Sequence, residues 1–573
     1  MDTGLTIETE RVDDIPVLIA EMKRMGIAEL VDGNFATHGN WQGISLGQVA
    51  TGWLAHVLSE ADHRLNHVQQ WVEKRPNTLQ GCLGVEVRGE DFTDDRLALV
   101  LDKLSEDEHW SAFEMGLNRR TLRVYNLGRK CVRLDSTTAN GYWEVTEDGL
   151  FQFGHSKDHR PDQPQVKVML STLDPLGMPV AVQVVSGEKA DDPLYIPAIA
   201  QVRRGLEQAG LLYVGDCKLM ALETRAYVQA GGDYYLGPFS KVQIPDETLA
   251  SYLRPVWAGE QSLTPVYRLD EGGERVQVAE GYERVEKLTS TVDGNLVTWE
   301  ERQLVVRSLA QAHAAETALR ARLDKVRLGL KDLNERRQGK ERLTELDSLK
   351  KAAEALLKQH DVEGLLTLTY QEQVEERIVR QYKDRPTQTR IERSVSVEVH
   401  PDETAIQAAI ASLGWRVYGT NQPVEQLPLE QAVLAYREEY RVERNFGRLK
   451  GKPLSLTPMY LQDDHRVIGL VRLLSIGLRV LSLFEGVVRQ HLAEQKTKLA
   501  GLYAGNPKRA TAFPTAEALL QAFKDIFLNV AHLSNQVVRF ISPLSDLQVR
   551  ILSLLDLSQD IYLTLAVESS FPP

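Results

Sequence analysis

Through the first 127 residues, apolar positions recur at intervals of three and four. "DDIPVLIAEMKRMGIAELVDG" and "SLGQVATGWLAHVLSEADHRLNHVQQWVEK" each carry such a stripe, and "DFTDDRLALVLDKLSEDEHWSAFEMGL" opens on a Thr93/Asp94 cap signal. This spacing predicts helices. From residue 130 the period shortens to two: "KCVRLDST", "GLFQFGHSKD" and "QVKVMLSTLDPLGMPVAVQVVSG" read as strands, the last folded back at Pro-Leu-Gly. A helix ("DPLYIPAIAQVRRGLEQAG"), a strand ("LLYVGD"), a helix ("ALETRAYVQAG") and a strand ("DYYLGPFS") follow. The order β-β-β-α-β-α-β predicts an α/β core. Its first strand and the strand after its first helix each end in an aspartate, Asp135 and Asp216.

The pattern changes again at 241. "RVQVAEGYERVEKL" and "NLVTWEERQLVVRS" alternate like strands. Leu319, Leu323, Val326, Leu330 and Leu333 then keep a 4-3-4-3 spacing, "RRQGKER" breaks the run, and "LTELDSLKKAAEALLKQH" resumes it, which predicts a helical hairpin. Strands return in "RSVSVEVH" and "GWRVYGTN". A long helix is expected from 429 through "LEQAVLAYREEYRVERNFGRLKGK", and apolar helices such as "TAEALLQAFKDIFLNVAHLSNQVVRFI" beyond it. The chain thus divides into a helical N-terminal region (1–127), a first core segment (128–240), a mixed β/helical insertion (241–424), a second core segment (425–490) and a helical C-terminal region (491–573).

Composition narrows the class only modestly. The 573 residues are too many for one simple core, and 43% hydrophobic with 26% charged residues is ordinary for a globular protein. Cys82, Cys131 and Cys217 are scattered, which argues for a reducing, cytoplasmic setting and against a zinc site. The acidic start "MDTGLTIETERVDD" does not resemble a signal peptide. The most membrane-like run, 467–484, carries Arg472 and Arg479 on one helical face, so an amphipathic core helix is expected and no membrane partner. A net charge of −13 disfavours DNA only if it is spread evenly; a phosphate-binding surface needs only a local excess of basic residues.

The candidate chemistry lies in three carboxylates. Asp135 and Asp216 would meet at one edge of a sheet, and Glu443 lies on the helix after the insertion. An all-oxygen set suits hard Mg²⁺, with Mn²⁺ able to substitute. Two such ions would activate an attacking oxygen and stabilise the leaving oxygen of a phosphodiester. Around Glu443 lie Arg437, Arg441, Arg444, Arg448, Lys450 and Lys452, and Tyr436, Glu443 and Lys450 are spaced by seven on one helical face. Taken alone, this run is better accounted for by an ordinary amphipathic helix laced with i,i+4 ion pairs. In "GHSKDHRPD", Lys157 and Arg160 are candidates for DNA contact on a polar loop.

Together these segments resemble the DDE transposases of bacterial insertion sequences, in the branch that carries Y-x2-R-x3-E-x6-K on the helix of the third carboxylate. Tyr436, Glu443 and Lys450 match, and the Arg position is occupied by Glu439, with Arg437 and Arg441 nearby. "RLDSTTANGYWE", "GHSKDHRPDQPQVKVMLS", "PVAVQVVSGEKADDPLYIPAI" and "YVGDCKLMALET" extend the resemblance over essentially the whole chain. It implies an RNase H-like core interrupted by a β-rich insertion. It also implies catalysis and metal binding by Asp135, Asp216 and Glu443, an N-terminal DNA-binding region, and a homodimer acting on double-stranded transposon ends and target DNA. If a hairpin intermediate forms, an extruded base would rest on an insertion tryptophan. Trp299 is the first choice over Trp257 and Trp415, although for any one of them packing a small β core is the better-supported expectation. An RNase H-type nuclease without strand transfer, or a non-catalytic transposase-derived regulator, are the alternatives.

Overall fold

The computed structural model describes residues 6–270, 273–335, 343–379, 388–457, 459, 461–533 and 536–567. The chain forms two compact units: Met1–Gly237, Leu288–Trp299 and Ala435–Pro573 make the first, and Pro238–Lys287 and Glu300–Leu434 the second.

The first unit begins with a strand, β1 (Thr6–Arg11), and helices follow to Val124. Five further strands then form its mixed sheet: β2 (Cys131–Asn140), β3 (Gln165–Leu173), β4 (Met178–Ser186), β5 (Leu212–Gly215) and β6 (Tyr234–Pro238). They lie in the order β4-β3-β2-β5-β6. β3 runs antiparallel to β2 and β4, whereas β5 is parallel to β2 and to β6. β3 is buried along its whole length, as a central strand covered on both faces must be. The β3–β4 turn falls at Pro-Leu-Gly as expected, with Gly177 at φ +66°. "GLFQFGHSKD" departs from expectation: only Gln152 pairs, with Gln165, and the polar remainder is loop.

The second unit contains β7 (Thr264–Leu269), β8 (Arg275–Val292), β9 (Asn295–Ser308), β10 (Leu366–Val379), β11 (Gln388–Pro401) and β12 (Trp415–Thr420), although the tip of the β8–β9 hairpin counts with the first unit. β12, β9, β8 and β7 lie side by side, and β10 and β11 form a separate hairpin. The leucine spacing is realised in helix Leu309–Asn334, where Leu319, Leu323, Val326 and Leu330 are buried against Leu349 and Ala353 of helix Leu346–Gln359. The "RRQGKER" break, 336–342, lies outside the described residues.

Back in the first unit, β13 (Phe527–Leu533) and β14 (Gln536–Ile541) correct the expectation of an all-helical C-terminal region. The helix that starts at Ala516 stops at Gln521. Asp525 then adopts φ +66°, and Leu528 and Val530 alternate inward. β1 pairs antiparallel with β13, which pairs with β14. At the centre, helix Asp464–Glu494 packs against helices Asp94–Leu104 and Leu46–Glu60 and against β4. It is the one helix among the described residues long and apolar enough to cross a membrane, and 94% of its most apolar window is buried inside the protein. Burial on every side, rather than the expected amphipathic face, explains its composition. Gly469 permits the close approach, since a Cβ there would sit 2.1 Å from the Leu101 carbonyl oxygen.

Candidate metal centre

The parallel β2–β5 pairing ends with Leu134 opposite Gly215, so Asp135 and Asp216 are the next register positions on neighbouring strands. Asp135 does not end its strand, as the sequence suggested. β2 continues to Asn140 because β3 pairs with it throughout. The carboxylate therefore projects where the short β5 stops beside a longer neighbour.

Asp135 Oδ1 accepts from the Ser136 amide at 2.7 Å and from Lys157 Nζ at 3.1 Å. Lys157 also donates to the Ser136 carbonyl at 2.6 Å and lies 3.8 Å from Asp191. Burial pushes the Asp135 carboxyl above its ordinary range; Lys157 pulls it down and the neighbouring Asp216 charge adds to the rise. Asp216 Oδ1 accepts from the Tyr195 hydroxyl at 2.7 Å and the Lys218 amide at 2.8 Å. The hydroxyls after Asp135 fasten the surroundings: Ser136 donates to Asp191, and Thr138 accepts from the Lys157 amide.

The third carboxylate stands on helix Tyr440–Lys450. The single long helix expected from 429 is two helices, because helix Leu429–Arg437 ends and Glu438 and Glu439 form a turn. Tyr436 and Glu443 therefore do not share one continuous helical face. Arg133 accounts for much of this break. Its buried guanidinium is bidentate on Asp174 at 2.7–3.0 Å, donates to the Ala435 carbonyl at 2.7 Å and lies 3.6 Å from Glu438. Glu439 sits at this turn, half-buried. Burial raises its carboxyl, the Tyr436 hydroxyl opposes that rise, and the charges of Asp135, Asp216 and Glu443 add to it. Asp135, Asp216 and Glu443 thus each lie within electrostatic reach of Glu439. The all-oxygen donors and their mutual repulsion fit a hard divalent cation. Among the described residues, however, no three Asp, Glu, His or Cys side chains are already gathered at ligand distance.

The basic residues expected to meet DNA are largely engaged inside the protein. Lys157 pairs with Asp135, and Lys450 Nζ lies 2.5 Å from Asp158, so the loop carrying both is tied at two points. Arg441 donates to the Pro175 carbonyl and pairs with Glu438 at 3.0 Å. Arg444 pairs with Glu485, and the buried Arg448 with Glu485 and Glu517. Arg437 is half-buried and also partnered. Trp299 is 5% exposed and donates to the Tyr235 hydroxyl at 2.8 Å, so its indole is buried and presents no open face. Sequence reasoning missed Arg133, Tyr195 and Asp191; Glu439 was noted as a departure from the motif but not as a carboxylate beside the other three.

A family model described as a domain of unknown function, DUF4277, matches residues 7–115. No curated protein matches the chain. Among solved structures, the chain is similar to piggyBac transposase in a synaptic complex with hairpin DNA. The TM-score is 0.31 at 7% identity, over 97% of this chain and 84% of that one, a level that does not establish a common fold.

Proposed function

We propose that the protein is a DNA transposase, with Asp135, Asp216 and Glu443 as a metal-binding catalytic set for phosphodiester cleavage and strand transfer. The observation that carries this reading is the juxtaposition of Asp135 and Asp216 across neighbouring strands where β5 stops, with both aspartates and Glu443 acting electrostatically on Glu439. The order β4-β3-β2-β5-β6, with β3 antiparallel, supports the RNase H-like core that the sequence resemblance implies.

In this reading Asp135, Asp216 and Glu443 would hold Mg²⁺ ions, which would supply Lewis acidity for phosphodiester chemistry. The chain's own residues hold the set in place. Tyr195 and the Lys218 amide orient Asp216, and Lys157 balances the charge of Asp135. Arg133 fixes the turn that carries Glu439 and leads into the helix of Glu443. No covalent enzyme intermediate is required, so no nucleophilic side chain is assigned. The partners are double-stranded transposon ends and target DNA, met by a homodimer in the cytoplasm.

The test uses a DNA fragment carrying the inverted repeats that flank the gene, with Mg²⁺. The wild-type chain should nick the 3′ end and transfer it, with Mn²⁺ able to substitute. Asp135→Ala, Asp216→Ala and Glu443→Ala should each abolish cleavage while still retarding the fragment in a gel. Wild-type nicking without joining would leave a nuclease, and a triad variant that cleaves at the wild-type rate would remove that residue from the site.

A further inference from the structure

Helix Tyr440–Lys450 has two chemically distinct faces. At 100° per residue, Glu443 and Lys450 project together, whereas Arg441, Arg444 and Arg448 point about 100–160° away from Glu443, with Tyr440 between the two faces. That second face borders a cavity of about 440 Å³, closed by helix Asp464–Glu494, the Pro175–Leu176 turn and Phe513. Arg441, Arg444, Arg448 and Arg489 line it, and Glu485 is the one acid among its lining residues.

Glu485 receives three guanidiniums: Arg444 at 2.6 Å, Arg448, and Arg489 at 2.7 Å; the Ala516 amide adds a fourth donor at 3.1 Å. A carboxylate offers about four lone-pair positions, and each guanidinium brings five N–H donors. Glu517 takes Arg448 Nε at 2.7 Å and the Pro514 carbonyl takes Arg489 Nε at 2.9 Å, yet three guanidiniums still face two carboxylates, which leaves an excess of positive charge and of N–H donors. Crowding shows at Arg489, whose guanidinium is pushed below its ordinary range by burial and by the Arg444 and Arg448 charges, against the pull of Glu485. At the rim stand two aromatic side chains that do not serve the core, Tyr440 at 58% exposure and Phe513 at 74%. Surplus guanidinium donors beside exposed aromatic faces match a phosphate joined to a planar base.

We infer that this cavity is a second nucleic-acid site, which holds one nucleotide of a single DNA strand, its phosphate against Arg489 and Arg444 and its base against Phe513. The inference deepens the transposase reading and rests on it for the source of the strand. The site is separate from the carboxylates and on the other face of the same helix.

The test is fluorescence anisotropy of the full-length chain with a labelled, 5′-phosphorylated oligothymidylate. Phe513 is a surface residue, so Phe513→Ala should fold normally and weaken binding by about fivefold or more. Phe513→Trp should restore it. Arg489→Gln should flatten the log–log salt dependence by about 0.7. An oligonucleotide abasic at every position should bind wild type no better than the intact one binds Phe513→Ala. Unchanged affinity in Phe513→Ala together with an unchanged slope in Arg489→Gln would overturn the proposal. So would displacement by inorganic phosphate at the oligonucleotide's own concentration, which would reduce the cavity to a simple phosphate pocket. The two readings fail separately: an enzyme that binds the oligonucleotide as described yet cuts no transposon end loses its catalytic assignment and keeps this site.

Discussion

Two carboxylates on the first unit sit in opposite circumstances. Glu485 is held by three guanidiniums and a backbone amide, and its carboxyl lies below the ordinary range: burial would raise it, but Arg444, Arg448 and Arg489 outweigh burial. Asp135 has one ammonium partner and an aspartate for a neighbour, and its carboxyl lies above that range. The first is saturated by its own chain, as a structural ion-pair network is. The second retains unmet demand for positive charge, which is the condition expected of a ligand awaiting a cation. The difference separates buried charge that holds the fold from buried charge available for chemistry.

The sharpest way to break that contrast is to neutralise the saturated member. Glu485→Gln leaves Arg444 and Arg489 crowded without their acid and Arg448 with Glu517 alone. It should lower unfolding free energy by about 3–5 kcal/mol in denaturant titrations. A loss under 1 kcal/mol would mean that the network is ornamental.

Glu114 provides an intermediate case. It is buried, accepts from Gln201 at 2.6 Å and from the Val182 amide at 3.2 Å, and feels Arg479 and Arg472 only at a distance. Burial pushes its carboxyl up to about 7 from an ordinary 4.5. As pH rises through that window the unfolded chain gives up the proton first, so stability falls between those two values and is level above them. Glu114→Gln should remove about 3 kcal/mol of that pH dependence, read by unfolding at pH 5 and pH 8.

For the unsaturated member the expected sign is reversed. Asp135→Asn relieves repulsion with Asp216, so without added metal it should melt no lower than wild type. Wild type should gain about 2.7 kcal/mol in Mg²⁺ at a hundredfold excess over its dissociation constant, and the variant should gain none. A variant that still gains stability from Mg²⁺ would place the ion elsewhere. The smallest effect concerns Trp299. Tyr235→Phe removes its acceptor and should cost about 1 kcal/mol without altering DNA cleavage. A selective loss of a hairpin product would instead return the indole to the substrate.

Much of this was legible in the sequence. Two apolar runs, each leading into an aspartate and joined through a helix, were enough to expect Asp135 and Asp216 side by side, and the parallel pairing from Cys131 opposite Leu212 brings them together even though β2 runs on to Asn140. The helical hairpin followed from leucine spacing alone. What stayed hidden depended on partners remote in the chain. The arginines of helix Tyr440–Lys450 look like a DNA-facing stripe until Glu485, Glu517 and Asp158 are placed beside them. The turn at Glu438–Glu439 interrupts residues with strong helix propensity, and Arg133, three hundred positions away, is bonded to it. The strands β13 and β14 were masked because their apolar residues also satisfy a helical period.

The pairing of β1 with β13 also bears on how the protein is made. Arg11 lies opposite Phe527, so nearly the whole chain must leave the ribosome before the first strand finds its neighbour. At about 5–20 residues per second this wait is roughly half a minute to two minutes. During that interval β1 is a bare edge, open to chaperones or to another copy's β13. Completion of the first unit is therefore an event that follows translation, and a molecule truncated upstream of Phe527 never closes this sheet.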